Sequence, residues 1–289
     1  MPSRNFSKSS IPRILAGFSR SIRTLAVAVL LVADVLSGQS RAIGRVVRVV
    51  NGDTLPISGI AVVLHQVGRA SQGPLDTVRA GRGGRFEFHF TADTGAAYLL
   101  SARHGGVEYF SAALAAKPGK SDTAIVMIVA DTSSNAPVWL RQRTLLIGDL
   151  DASGTRTVLD WLVLSNPGDR TRVAPDTLRA SWGAPLPLEA QNVEVADSRL
   201  SQFAPEVLTF RRDSVLIFAP IAPGEKELML QYRIPGTLRR FDVPAAGATD
   251  SVFVLLEGGI GSVLSRGFAA RDSQTIEGRR FQRWAGTVQ

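Results

Sequence analysis

Apolar and polar residues alternate one for one in residues 85–90, where Phe86, Phe88 and Phe90 are interleaved with Arg85, Glu87 and His89. A period of two puts one set on a buried face and the other in solvent, so this segment predicts a half-buried strand. Gly83 and Gly84 precede it and free the backbone for a tight turn. Similar short runs surround it. Arg45-Val46-Val47 leads to a turn at Asn51-Gly52-Asp53-Thr54-Leu55-Pro56, and residues 58–64, 77–79, 97–102 and 107–110 each read as a strand. Residues 123–129 close the series. Ala124-Ile125-Val126-Met127-Ile128-Val129 is apolar at every position, the pattern of a strand covered on both faces.

The pattern then restarts. Residues 132–137 are polar, turn-rich and end in Pro137, which predicts a linker between a domain at 42–131 and a second at 138–257. In the second, apolar runs at 145–147, 158–164, 207–210, 215–218, 228–232 and 252–256 are short. Turn signals such as Asn166-Pro167-Gly168, Pro223-Gly224 and Pro235-Gly236 separate them. Strands at this spacing predict a β-sandwich. No stretch sustains apolar spacing of three and four, so the expected fold class is all-β, with two tandem β-sandwich domains. Residues 258–289 are less regular and basic, and are expected to form a C-terminal hairpin or tail.

One stretch carries a family likeness. In order it reads Gly44-Arg45-Val46, a turn with Pro56, Gly59 to Val62 and Leu64, a strand with Thr77, Gly84-Arg85-Phe86-Glu87-Phe88, then Tyr98-Leu99-Leu100. This order resembles the carboxypeptidase regulatory-like, or transthyretin-like, β-sandwich. The resemblance covers residues 42–131 and implies a fold, not an activity, because one fold hosts many functions. In other proteins such modules are accessories of transporters, peptidases and surface proteins.

Composition narrows the setting. The 289 residues suffice for about two domains, and 20% charged with 45% hydrophobic residues is ordinary for a globular chain. Half of the net charge of +8 sits in residues 1–40, so the remainder carries no electrostatic footprint for nucleic acid. Those residues have a basic stretch to Arg23, an apolar run from Leu25 to Leu36 broken by Asp34, and Ser37-Gly38-Gln39-Ser40. This is the layout of a secretory signal peptide, with cleavage expected near Ser40. The run is too short to span a bilayer, so the mature chain is expected to have no transmembrane segment and to be periplasmic or extracellular. There is no cysteine. Disulfides, thiolate metal sites and a cysteine nucleophile are thereby excluded.

Candidate chemistry is sparse. Asp149, Asp151, Ser153 and Gly154, with Asp160 at the twelfth position, match the oxygen-ligand spacing of an EF-hand-like calcium loop. Against this, Thr157, Val158 and the residues that follow are strand-like, and residues 151–154 suit a hairpin turn. The expectation is the hairpin, with Asp149, Asp151, Ser153 and Asp160 as the alternative calcium ligands. His65, His89 and His104 lack zinc spacing on any one element, and there is no Gly-x-Ser-x-Gly elbow or phosphate loop. No cofactor is expected. Arg279, Arg280, Phe281, Arg283 and Trp284 form the densest candidate contact segment, because Arg and Trp concentrate binding energy. Two functions follow. The first is a non-catalytic binding or structural module of a bacterial envelope, whose partner is an envelope protein or polysaccharide. The second is a carbohydrate-active or other hydrolase with its site in the second domain, where Asp160, Trp161, Asp169 and Trp182 are the first candidates.

Overall fold

A computed structural model describes residues 39–69, 72–196, 201–258 and 261–289. The expected signal peptide lies outside the described residues except for Gln39 and Ser40. The chain divides into two compact units. The fold is all-β.

The first unit comprises the described residues through Val46, with Pro56–Ala102 and Tyr109–Met127. Eight strands run through this part of the sequence: β1 (Gln39–Val50), β2 (Asp53–Pro56), β3 (Ala61–Gly68), β4 (Gln72–Arg79), β5 (Arg85–Thr91), β6 (Ala96–His104), β7 (Val107–Phe110) and β8 (Ser121–Val129). Strand β1 pairs with β2, β5 and β8 in one sheet, and the other runs β4-β3-β6-β7. The alternation in β5 is obeyed: Phe86, Phe88 and Phe90 are buried and Arg85, Glu87 and His89 exposed. Val62 and Leu64 of β3 and Tyr98, Leu100 and Ala102 of β6 supply the opposing apolar face. The rings of Phe90 and Tyr98 lie 4.9 Å apart, joining the two sheets across one core. The Tyr98 hydroxyl accepts the Asp93 N–H at 2.7 Å, so its polar end is not stranded.

Two features depart from expectation. Strand β8 is covered on one face only: Ile125, Met127 and Val129 are buried, while Val126 and Ile128 are 47% and 59% exposed. A sheet packed against one partner leaves its outer face in water, whatever side chains occupy it. Strand β1 also starts earlier than the sequence suggested. Ser40 is fully buried and donates to the Lys117 carbonyl at 2.8 Å, so the expected cleavage point falls inside a strand.

The second unit comprises Val47–Leu55, Arg103–Glu108 and Ile128–Gln289. Its further strands are β9 (Asp131–Ser133), β10 (Trp139–Leu150), β11 (Thr155–Asn166), β12 (Arg170–Arg172), β13 (Trp182–Pro185), β14 (Gln191–Val195), β15 (Leu208–Arg211), β16 (Ser214–Ile217), β17 (Gly224–Pro235), β18 (Thr249–Glu257), β19 (Ala269–Ile276) and β20 (Arg279–Val288). The expected linker begins in β9, which pairs in parallel with β12. A seven-stranded sheet runs β14-β17-β11-β10-β18-β20-β19, and a three-stranded one runs β13-β16-β15. Leu162 and Leu164 of β11 and Leu228 and Leu230 of β17 pack with Val215 and Ile217 of β16 and with Phe203 and Ile221. The basic C-terminal residues form the β19–β20 hairpin, with β20 inside the large sheet.

Candidate functional site

On β11 the period of two aligns Val158, Asp160, Leu162 and Leu164 on one buried face. Asp160 therefore enters an apolar row, where a lone carboxylate is very costly. The strand register supplies its partner, because β10 pairs with β11 and carries Arg143 on the same face. Asp160 accepts from Arg143 Nε at 2.9 Å and Nη2 at 2.6 Å, a two-pronged pair with both side chains at or below 4% exposure. The hydroxyl of Tyr232, on β17, donates to the same carboxylate at 3.3 Å. Burial opposes the Arg143 cation, but Asp160 more than offsets it, and the guanidinium pKa lies above its ordinary value. Burial, followed by the Asp160 charge, pushes the Tyr232 phenol up. Arg143 has a further bond: Nη1 donates to the Pro244 carbonyl at 2.8 Å.

That last bond explains a cavity. Strands β10 and β18 are parallel neighbours, so the chain between β17 and β18 must cross over the sheet. Residues 236–248 make this crossing, and Arg143 ties them down at Pro244. Phe241 and Val243 of the crossing pack near Leu145, Ile147, Tyr232 and Ile234. Between crossing and sheet is a cavity of about 610 Å³. Its floor is Leu145 and Ile147 of β10 with Val252, Val254 and Leu256 of β18. Val263, Leu264 and Phe268 line it from the connection between β18 and β19. Arginines 156, 239 and 240 line it as well. Gly236 N–H bonds to the Gly154 carbonyl at 2.9 Å, which sets the start of the crossing beside the β10–β11 turn. Arg156 donates to Gly148 O at 3.1 Å and pairs with Asp149 at 3.2 Å, and Arg240 pairs with Asp242 at 3.0 Å. Arg239 makes no ion pair or side-chain hydrogen bond among the described residues.

The calcium-like motif folds as a hairpin. Strands β10 and β11 pair directly, and Asp151 N–H donates to Thr155 O at 2.9 Å across the turn. One Asp151 carboxylate accepts from Ser153 N and Oγ and from Thr155 N and Oγ1. The Ser153 hydroxyl, then the Thr155 amide, lower its pKa from 3.8 to about 2. Asp160 is committed to Arg143, and no cluster of three acidic or histidine side chains suited to a metal occurs among the described residues. Two results are expected. Asp151 should titrate near 2 in a carboxyl NMR series. Its native pKa is depressed, so its stabilising contribution is present above the ordinary aspartate range and lost as pH falls through that value. Calcium should leave the melting temperature unchanged, and a calcium-dependent rise that Asp151→Ala removes would overturn the hairpin reading.

The remaining candidates are dispersed. Trp161 points away from Asp160, as adjacent strand residues do, and its Nε1 donates to Glu227 at 3.2 Å. Asp169 accepts the Asn51 N–H at 3.3 Å, and Trp182 packs against the core beneath the three-stranded sheet. The four residues of the hydrolase reading thus share no site. His65 meets Ser101 Oγ at 2.9 Å, His89 meets Glu87 at 2.9 Å, and His104 meets Asp131 at 2.7 Å. His104, then Arg48, holds the Asp131 carboxyl below its ordinary pKa against the opposing effect of burial. In the C-terminal segment, Phe281 and Trp284 are buried at 1% and 8% exposure. Arg279 pairs with Glu257, Arg280 bonds Ser273, and Arg283 Nε is buried with no hydrogen-bond partner among the described residues. Arg279 and Arg280 are what this segment leaves exposed.

Sequence reasoning missed Arg143 and the crossing. Its one available signal was a charged residue, Asp160, in an apolar run, which required a cationic partner somewhere.

No protein-family model and no curated protein sequence matches the chain. Among the solved structures with some likeness are the shaft pilin SpaA of Lactobacillus rhamnosus GG, a DUF3823 family protein of Bacteroides ovatus ATCC 8483 and the major pilin subunit BcpA of Bacillus cereus. The first is 9% identical over 42% of this chain and 64% of its own, with a TM-score of 0.23, so this chain spans less than two thirds of that pilin. The second is 7% identical over 86% and 97%, with a TM-score of 0.21. The third is 10% identical over 86% and 84%, with a TM-score of 0.20. At such values the likeness assigns no function, and the functional reading rests on the cavity geometry.

Proposed function

We propose that this chain is an exported, non-catalytic binding module of a bacterial envelope, and that its ligand enters the cavity of the second unit. The observation that carries this reading is the cavity itself. At about 610 Å³ it falls in the range of small-molecule sites, and an apolar floor is combined with polar and charged side chains such as Arg156, Arg239, Arg240 and Asp242. The charged side chains nearest its floor are engaged in holding structure: Arg143 donates to both Asp160 and the Pro244 carbonyl. Arg279 and Arg280 on β20 are exposed, although bonded to Glu257 and Ser273, and would face a larger partner, an envelope protein or polysaccharide. Among the described residues no helix is long and apolar enough to cross a membrane.

The test is a titration of the full chain with the neutral apolar dye N-phenylnaphthylamine. Saturable fluorescence with one site per chain is expected. Val263→Trp, which fills the cavity from a segment outside the strands, should abolish it without changing the melting temperature. Dye binding that ignores this substitution would overturn the cavity as the site. Turnover of a glycan, ester or peptide, stopped by a carboxylate substitution in a stably folded variant, would overturn the non-catalytic reading.

A further inference from the structure

We propose that the cavity takes a single-chain amphiphile with an anionic headgroup, its tail laid along β10 and β18 and its head held by Arg239 and Arg240. The proposal rests on the cavity being a binding site and adds what binds there.

The strand register gives the cavity a long axis. Arg143 pairs with Val252, Leu145 with Val254 and Ile147 with Leu256. From Val252 to Leu256 the strand rises roughly 13 Å, so the floor is an apolar strip suited to an extended hydrocarbon chain. Each methylene buried there contributes roughly fourfold in affinity. At the inner end Arg143 is spoken for, with Asp160 on two of its nitrogens and Pro244 on the third. That end offers a tail no exposed charge.

The other end is different. Arg156 belongs to the start of β11, beside Gly148, and residues 236–240 start the crossing beside Gly154. Arg156, from the start of β11, and Arg239 and Arg240, from the start of the crossing, thus line the same cavity. The acidic groups there are Asp149, paired with Arg156, and Asp242, paired with Arg240. Glu257, which accepts from the Asp149 N–H, is offset by Arg279. Arg239 has no ion-pair partner among the described residues. The Arg240–Asp242 pair is exposed on both sides and exchanges readily for a bound anion. Two large apolar side chains that line the cavity also face solvent, Leu264 at 75% and Leu238 at 39% exposure. They extend the apolar strip outward to where a chain would enter.

The experiment displaces N-phenylnaphthylamine from the full chain with laurate, lysophosphatidylglycerol, dodecanol and dodecyltrimethylammonium, each below its micelle concentration. Laurate or lysophosphatidylglycerol should bind at least tenfold more tightly than the neutral and cationic chains. The anion that binds better identifies the source as a free fatty acid or a lysophospholipid. Arg239→Glu combined with Arg240→Glu should weaken that anion at least tenfold and leave dodecanol unchanged. Arg239→Gln should give a smaller loss in the same direction, and both sites are exposed, so melting should not move. If the dye and dodecanol bind but laurate and lysophosphatidylglycerol gain nothing and the arginine changes have no effect, the cavity binds and the anionic head is wrong. If neither the dye nor any chain binds, with residues 1–38 present or removed, the binding-module reading fails with it. If anions bind only after residues 1–38 are removed, the apolar run of the chain itself is the occupant and the proposal falls.

Discussion

Replacing Asp160 with Ala should destabilise the second unit by about 3–5 kcal/mol, the usual loss when one partner of a buried ion pair is removed. The size follows from burial. Asp160 is fully buried and Arg143 is 3% exposed, so neither charge reaches water when its partner is lost. Unlike a buried lysine, Arg143 keeps its proton at any pH of interest and has no neutral form to retreat to. The pair itself is not expected to be net stabilising over an apolar core. Arg143→Met together with Asp160→Leu should therefore recover a large part of the loss. Recovery stays incomplete, because Pro244 O loses its donor, at roughly 1–3 kcal/mol for an unsatisfied buried acceptor. Urea denaturation followed by tryptophan fluorescence measures all three variants. A single substitution costing under about 1 kcal/mol would show that water reaches the pair, against the burial stated here.

Gly84→Ala should lower the stability of the first unit by roughly 3 kcal/mol. Two costs add. Gly84 has φ +73°, where a side chain costs about 1–2 kcal/mol. Its added Cβ would also overlap the Val46 carbonyl and come within 3.2 Å of Ile57 N and O, an overpacking cost of about 1–3 kcal/mol. Neither obstacle is a flexible side-chain end, since all three atoms are backbone. Gly83 is the control. It also has positive φ, at +70°, but a Cβ there meets nothing within 4 Å, so Gly83→Ala should cost only the conformational part. Equal losses at the two positions would mean that the turn shifts to relieve the contact with Val46.

The difference between these two glycines is also the limit of what the chain discloses by pattern. Gly83-Gly84 announced a turn, and Phe86, Phe88 and Phe90 announced a strand and its buried face, because both signals are local. Which glycine lies against β1 depends on pairing between segments far apart, and nothing near residue 84 encodes it. The same holds at the site. Trp139-Leu140-Arg141-Gln142-Arg143-Thr144 reads as polar, so β10 was expected to start at Leu145, whereas the sheet begins at Trp139. Arg141 stays at the surface with Glu225, and Arg143 turns inward to Asp160, on the evidence of register alone. Of the crossing at 236–248 only its start, Pro235-Gly236, was marked, as a turn, because Phe241 and Val243 are too few to set a period. In β8 the inference ran the other way. An unbroken apolar run suggested two covered faces, yet composition does not create a second covering layer over Val126 and Ile128.

The parallel pairing of β10 with β18 also has a kinetic meaning. Its partners are as remote as Gln142 and Ser251, and β17 lies between them in sequence while sitting two strands away in space. During synthesis the β10–β11 hairpin can close early, since its turn is local, whereas β17 joins β11 only after residues 167–223 have been made. Until β18 emerges, β10 remains an open edge with Leu145 and Ile147 uncovered and Arg143 without its Pro244 anchor. Closing that edge must overcome a long loop-closure entropy, which places such topologies at the slow end of folding rates. The newborn chain therefore spends its most aggregation-prone interval with this one strand unpaired, and a holdase that binds extended apolar segments would find its target at residues 139–150.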